Sequence, residues 1–184
     1  MVGGVGYNGR KREGGGDMWE DRMSEDRRAL ILNGSDIENL ENVKFPSELR
    51  VLQVVNTKLT SLNNVVFPEL LSELYLTQTE ITSLEGAILP AGLRLLHLGR
   101  TRLMTLEGVH FPDNLQELYL SHTRLTSLEN VEFPCGLQVL TLSNTGITYL
   151  PSSIRNLRSL RRLDLSGLNL SELPDWLQIG RAHV

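Results

Sequence analysis

The sequence is poor in aromatic residues and in cysteine, and the shortage of cysteine restricts the class of protein it can encode. Cys135 is the only cysteine among 184 residues, so no disulfide can form within the chain. Proteins of oxidising compartments usually rely on disulfides, and the lack of one favours a reducing compartment. Aromatic residues make up only 5% of the chain. Cys135 follows Phe-Pro with no partner cysteine nearby, and we expect a buried or half-buried structural thiol.

The chain also lacks an excess of positive charge and any long apolar run. The net charge is −4 and the isoelectric point is near 5.6, so no basic field indicates a nucleic-acid partner. No apolar run approaches the ~18 residues that a membrane-spanning helix needs, and nothing resembles a secretory signal. We therefore expect a cytoplasmic protein that binds neither nucleic acid nor membrane.

The first 25 residues differ in composition from the rest. They are rich in glycine, basic in the middle and poor in apolar residues, so we expect a disordered tail over residues 1–25. A phosphate-binding glycine loop is the alternative, but the segment lacks the Gly-Lys-Ser/Thr ending. Translation could also start at Met18 or Met23.

A repeated leucine pattern fills the remainder of the chain. It reads Leu-x-x-Leu-x-Leu-x-x-Thr-x-Leu-x-x-Leu from Leu115 to Leu128, and its first leucine recurs every 22 residues at positions 49, 71, 93, 115 and 137. A fixed period of this length is typical of a solenoid. The Leu-x-Leu step alternates with period two and predicts a short strand in each copy. One copy is too small to fold alone, so the copies must stack with their strands parallel.

The return segment of each copy contains proline, usually as Phe-Pro. Proline fixes φ and restricts the residue before it, which excludes an α-helix there. We expect extended chain and single 3₁₀ turns, with proline at the first position of the turn. The first copy begins near Asp26 and has Arg27 where later copies have leucine, as a capping repeat would.

Residues 28–177 resemble a leucine-rich repeat domain, and the 22-residue spacing is similar to that of bacterial and internalin-like repeats. The resemblance implies an α/β fold: a right-handed solenoid of about seven units, with a curved parallel sheet on the concave side and turns on the convex side. We place this domain at residues 26–178. The family's usual inward asparagine or cysteine, which hydrogen-bonds the turn backbone of adjacent copies, is replaced by a threonine ladder: Thr57, Thr79, Thr101, Thr123 and Thr145.

The end of the chain departs from this pattern twice. The leading leucine moves by 23 residues, from Leu137 to Leu160, and the unit that follows resembles repeats of Ras-binding scaffolds and plant intracellular proteins. The tail Ile179-Gly-Arg-Ala-His-Val184 resembles one reading frame of a common sequencing adaptor. We therefore expect residues 179–184 to be non-native and the natural sequence to continue differently after Leu177; a genuine polar C-terminus is the alternative.

The middle residue of each Leu-x-Leu step points away from the leucines, onto the concave face. These residues are Ile31, Gln53, Tyr75, His97, Tyr119, Thr141 and Asp164. Beside them we expect Leu95 as an exposed apolar residue and Arg162 at a basic far end. Tyrosines suit recognition, so this face is the predicted partner-binding site, in which His97 could confer pH sensitivity. The alternative is that the row only stabilises strand pairing.

Catalytic and metal-binding patterns find little support. No two of the four histidines have the spacing of metal ligands on a helix, and Cys135 has no identifiable base beside it. The sequence therefore predicts a monomeric protein–protein interaction module with no catalysis, metal or cofactor, whose protein partner is not specified. Two alternatives stay open. One is the recognition part of a larger enzyme, such as an effector ubiquitin ligase or a receptor-like kinase, and the other is a structural or adhesive protein.

Overall fold

The computed structural model describes residues 20–172 and 174–175. Within these residues, seven three-residue strands form one parallel sheet in chain order. They are β1 (Ala29–Ile31), β2 (Val51–Gln53), β3 (Glu73–Tyr75), β4 (Leu95–His97), β5 (Glu117–Tyr119), β6 (Val139–Thr141) and β7 (Arg162–Asp164). This sheet confirms the predicted solenoid, in which each repeat contributes one strand.

Strand register follows the sequence period without a slip. Leu52 pairs with Leu74, Leu74 with Leu96, and Leu96 with Leu118. The chain also pairs beyond the strands, since the Leu76 amide donates to the His97 carbonyl and the Leu98 amide to the Tyr119 carbonyl, both over 2.8 Å. Equivalent residues of successive repeats therefore lie side by side across the whole sheet.

A single leucine core runs through the solenoid. Leu74, Leu96 and Leu118 are completely buried, as are the leucines two residues after them, Leu76, Leu98 and Leu120. Full burial of each such side chain contributes about 2 kcal/mol. Because every repeat covers its neighbour's leucines, the core exists only in the stacked assembly.

Two rows of left-handed residues bend the chain in each repeat, and the sequence analysis did not anticipate them. One row follows the strands and comprises Gly34, Asn56, Gln78, Arg100, His122, Asn144 and Gly167, with φ between 54° and 70°. The other lies in the return segments and comprises Asn42, Asn64, Gly86, Gly108 and Asn130. The asparagines and glycines of the second row were the available signal, because these residues tolerate positive φ.

The threonine ladder closes the turn that follows each strand. The Thr79 hydroxyl donates to the Leu76 carbonyl over 2.9 Å, and Thr101 and Thr123 make the equivalent bonds over 2.8 Å. These bonds lie within one repeat, whereas the resemblance implied bonds to adjacent repeats. A threonine hydroxyl sits too close to its own backbone to reach the neighbouring turn, so the contacts between repeats are made by backbone amides instead.

The return segments are extended chain interrupted by tight turns, as predicted. Each proline opens one turn: the Leu49 amide donates to the Pro46 carbonyl over 3.1 Å, and the four following repeats do the same. The phenylalanines before these prolines stack in pairs, Phe45 on Phe67 and Phe111 on Phe133, with ring centroids 6.2 and 6.1 Å apart. The last return segment contains a 3₁₀ helix, Ser152–Asn156.

Ordered structure begins before residue 26, within the segment that we predicted to be a disordered tail. Glu20–Arg22 forms a 3₁₀ helix, and Met23 pairs with Leu30 in an isolated antiparallel bridge. Met23 also packs against the leucine core. The segment covers the edge of β1, where the unpaired backbone groups of the first strand would otherwise face water. The remaining part of the predicted tail lies outside the described residues, and so do Leu177 and residues 179–184.

Candidate binding surface on the concave face

Two parallel rows of side chains cover the middle of the concave sheet. The register aligns Glu73, Leu95 and Glu117 as the first row, which we call the acidic row. It aligns Tyr75, His97 and Tyr119 as the second, which we call the aromatic row. Both rows come from the residues that flank the buried leucine of β3, β4 and β5, and all six side chains are partly exposed.

The aromatic row is a continuous stack of rings. The His97 ring centroid lies 4.8 Å from that of Tyr119 with an interplanar angle of 13°, and 6.3 Å from that of Tyr75 with an angle of 31°. Spacings of 4.5–7 Å are favourable for aromatic pairs. Adjacent parallel strands lie about 4.8 Å apart, which brings the rings into this range. The predicted stripe is therefore present as a packed surface.

Each tyrosine hydroxyl is bonded to the glutamate of its own strand. Tyr75 donates to Glu73 Oε2 over 2.9 Å, and Tyr119 donates to Glu117 Oε2 over 2.6 Å. Burial, followed by this hydrogen bond to a carboxylate, raises the pKa of Tyr75 and of Tyr119 to about 12. Both phenols thus stay protonated at neutral pH and hold the two carboxylates in place.

His97 is held as a neutral imidazole. Its Nδ1 atom lies 3.2 Å from the Gly99 amide, which donates to it, and 3.0 Å from the Thr77 hydroxyl. A nitrogen that accepts from a backbone amide carries no proton, so the hydrogen resides on Nε2. Burial lowers the pKa of His97 below its usual value of 6.5.

Thr141 was predicted to be exposed, and the structure corrects this. Only 4% of Thr141 is accessible. Its hydroxyl oxygen accepts from Ser121 over 2.9 Å, and Ser121 in turn accepts from Ser143 over 2.8 Å. This chain of small hydroxyl residues leaves Thr141 almost inaccessible to a partner.

The other predicted residues lie at the two ends of the face. Near β2, Gln53 accepts from the Asn33 side chain over 3.0 Å. Near β7, Arg162 is exposed, and hydrogen bonds from Ser166 hold the pKa of Asp164 below its usual value. Leu95, predicted to be exposed, is half-buried between the two glutamates of the acidic row.

The structure also corrects the expectation for Cys135. The thiol was expected to be buried or half-buried, but Cys135 is exposed. It follows Pro134 at the start of a convex turn, where the chain faces away from the leucine core.

A charged groove beside the strand ends was not anticipated. Lys58 lies 3.0 Å from Asp36, and Arg102 lies 3.4 Å from Glu80, so charges of opposite sign alternate along successive repeats. The alternation of Asp, Lys, Glu and Arg at 22-residue steps in the sequence was the available signal. These side chains are largely solvated, so such pairs contribute little to stability.

The described residues offer no cluster of three or more His, Cys, Asp or Glu side chains that could hold a metal ion. Within the same part of the chain, no helix has the length and apolar character to cross a membrane.

Comparison with known proteins identifies the repeat. Residues 113–170 match the family model described as leucine rich repeat. A leucine-rich-repeat protein of Leptospira interrogans is 26% identical over 83% of this chain and 41% of its own, with a TM-score of 0.62. No curated protein sequence matches the chain.

Two further solved structures share the fold. The leucine-rich-repeat domain of a Shigella effector is 22% identical, with a TM-score of 0.69, over 85% of this chain and 67% of that one. An internalin of Listeria monocytogenes is 18% identical, with a TM-score of 0.73, over 85% of this chain and 46% of that one. The chain thus spans less than half the length of the Leptospira and Listeria proteins.

Leucine-rich-repeat domains are in general interaction modules. The 22-residue period, the seven-stranded parallel sheet and the family match agree with one another. The described chain therefore has the fold of a leucine-rich-repeat solenoid with units of about 22 residues, and its residues 113–170 match the leucine rich repeat family model.

Proposed function

We propose that the concave face binds a protein partner and that the acidic and aromatic rows form the centre of this interface. The observation that carries the proposal is the partly exposed stack of Tyr75, His97 and Tyr119 on a rigid sheet. Tyrosine is enriched at interface centres because it offers a large contact area with few rotatable bonds. The chain carries no catalytic function of its own in this proposal.

Preorganisation supports this assignment. The hydroxyls of Tyr75 and Tyr119 are fixed by the carboxylates beside them, and Nδ1 of His97 by the Gly99 amide. A partner would find these side chains already in one arrangement and would lose little entropy in ordering them.

The test begins with a random peptide library displayed against the full chain. The site of each selected peptide is mapped by amide chemical-shift changes on the isotope-labelled protein. We expect the largest changes at β3, β4 and β5. Binders that map consistently to the convex turns would contradict the proposal.

A second candidate is that this face selects substrates for a longer enzyme. It is favoured by the partial coverage of the relatives, 41% of the Leptospira protein and 46% of the Listeria protein. Long-read sequencing of the source transcript through codon 178 decides it. A catalytic domain in the same reading frame supports this candidate, and a stop codon after Val184 rules it out.

We also propose that the protein works in the cytoplasm as a monomer. The exposed thiol of Cys135 supports a reducing environment, because such a thiol is readily oxidised elsewhere. Fractionation of cells that express a tagged chain, with thiol labelling of Cys135, tests the compartment. Light scattering tests the monomer.

A further inference from the structure

We infer that the partner is an extended basic segment. Two of its cationic side chains, three residues apart in its sequence, form ion pairs with Glu73 and Glu117. This inference rests on the proposed function and specifies the chemistry of the partner. It follows from the charge, the spacing and the unused hydrogen-bonding capacity of the acidic row.

The two carboxylates have capacity to spare. Each accepts one hydrogen bond, from Tyr75 or Tyr119, on its Oε2 atom. Within the described part of the chain, no arginine, lysine or histidine forms an ion pair with either glutamate, and this includes Arg94, which precedes Leu95. A carboxylate offers about four acceptor positions, so each retains room for a bidentate guanidinium.

The surface between the carboxylates suits the stem of a cationic side chain. Leu95 lies in register between Glu73 and Glu117 and is half-buried, with the ring of His97 on the same strand. Arginine and lysine pack their methylene groups along apolar surface while the charged end reaches a polar partner. Leu95 thus supplies the apolar contact and the glutamates supply the charges.

Spacing sets the register of the segment. Glu73 and Glu117 are two strands apart, which corresponds to roughly 9–10 Å. A polyproline II segment rises about 3.1 Å per residue and turns once in three residues, so residues i and i+3 point the same way about 9.3 Å apart. Such a segment crossing the strands would place one cationic side chain at each glutamate.

Arg162 fixes the direction of the segment. It lies in the same row as the glutamates, two strands beyond Glu117. Its positive charge lowers the pKa of Tyr119 and so partly offsets the rise caused by burial and Glu117. A third cationic residue would be repelled there and an acidic one attracted. The predicted pattern is therefore basic-x-x-basic-x-x-acidic, read from β3 towards β7.

The test uses fluorescently labelled peptides and the full chain. The peptide Arg-Pro-Pro-Arg-Pro-Pro-Asp carries the predicted pattern. A spacing control, Arg-Arg-Pro-Pro-Pro-Pro-Asp, has the same composition, and a third peptide exchanges every charge. We expect the first peptide to bind at least about fivefold more tightly than the spacing control, and the charge-exchanged peptide not to bind.

Matched variants locate the binding. Glu73→Gln with Glu117→Gln removes two charges but keeps an acceptor for each tyrosine, and we expect the Kd of the first peptide to rise at least about tenfold. Glu107→Gln with Glu129→Gln makes the same change in net charge at exposed positions outside the concave strands, and should alter Kd by less than about twofold. The melting temperatures of both variants are measured alongside.

Four results would overturn the inference. They are no binding of the first peptide at about 1 mM, equal binding of the spacing control, equal binding of the charge-exchanged peptide, or equal effects of the two glutamine pairs. The peptides selected from the random library separate this failure from that of the proposed function. If they map to the concave rows but lack cations, the inference fails and the proposed function stands. If none maps there, both fail.

Discussion

At the residue scale, the contacts of His97 determine its charge state. The Gly99 amide donates to Nδ1, and the imidazole is packed between Tyr75 and Tyr119. Protonation of Nδ1 would replace an acceptor by a donor that faces another donor. Tyr75 and Tyr119 have pKa values of about 12, so both remain neutral where His97 titrates. The two glutamates of the acidic row lie on the neighbouring row.

We predict that His97 titrates below its unfolded value of 6.5. Because the folded-state pKa is lowered, the unfolded chain binds the proton first as the pH falls. The free energy of unfolding should therefore decrease as the pH is lowered from about 6.5 and level off below the folded-state pKa. The pKa is read from the imidazole proton shift by NMR, and His97→Gln should remove this part of the pH dependence. A folded-state pKa at or above 6.5 would contradict the hydrogen-bond assignment.

At the scale of the single repeat, the left-handed residue after each strand makes the turn possible. Gln78 has φ of 58°, and its amide donates to the Gly99 carbonyl of the next repeat over 3.1 Å. A side chain in this region costs about 1–2 kcal/mol relative to glycine, while glycine costs about 0.5–1 kcal/mol in ordering entropy. The hydrogen bond between the two repeats, and with it the strand register, requires a left-handed residue at position 78. The turn therefore keeps this conformation although glutamine does not favour it.

We predict that Gln78→Gly raises the free energy of unfolding by about 0.5–1 kcal/mol, whereas Gln78→Val lowers it by about 1–2 kcal/mol. Gln116→Gly serves as the control, since Gln116 lies outside the left-handed rows and glycine there should destabilise by about 0.5–1 kcal/mol. Urea unfolding of the three variants measures these differences. Equal effects of glycine at positions 78 and 116 would show that the turn imposes no strain.

At the scale of the whole molecule, stability comes from the stacking of neighbouring repeats, which share the leucine core between them. Within the described residues, the strands are hydrogen-bonded in chain order, each to its neighbours in the sequence of repeats. A complete repeat should therefore be removable without disturbing the register of the others.

We predict that deletion of residues 71–92, one period of 22, leaves a cooperatively folded six-stranded solenoid with a lower melting temperature and a smaller urea m-value. Deletion of residues 71–81 removes 11 residues, half a period, and leaves residues 82–92 as a remnant without a strand of its own. Although fewer residues are lost, we expect this second chain to melt at a lower temperature than the first, because the remnant interrupts the stacking of neighbouring repeats. A second chain as stable as the first would contradict nearest-neighbour stacking.

The sequence predicted the fold closely because a 22-residue period and period-two leucines leave few alternatives. The parallel strands, the convex turns and the stack of Tyr75, His97 and Tyr119 all follow from that period. Burial on the concave face did not follow. Thr141 is covered by a hydroxyl chain that depends on Ser121 and Ser143 in two repeats, and such a contact is visible only once the register is known.

Backbone conformation and exposure on the convex side were also beyond prediction. Positive φ at Gln78 or Arg100 has no signal in residue type, because neither residue favours it. The exposure of Cys135 depends on which way one convex turn faces. The N-terminal cap was missed because Met23 lies in a segment whose overall composition indicates disorder, and only its pairing with Leu30 reveals the packing.

The central claim is that the concave aromatic row is a binding surface and not only a strand-pairing device. The most direct measurement is the affinity of a library-selected peptide for Tyr75→Ala with Tyr119→Ala, together with the melting temperature of that variant. Val66→Ala with Ile88→Ala, both exposed on the convex side, is the control. We predict at least a thirtyfold rise in Kd, about 2 kcal/mol, with a loss of only a few degrees in melting temperature. A large fall in melting temperature with unchanged Kd would show that the row stabilises the sheet and binds nothing.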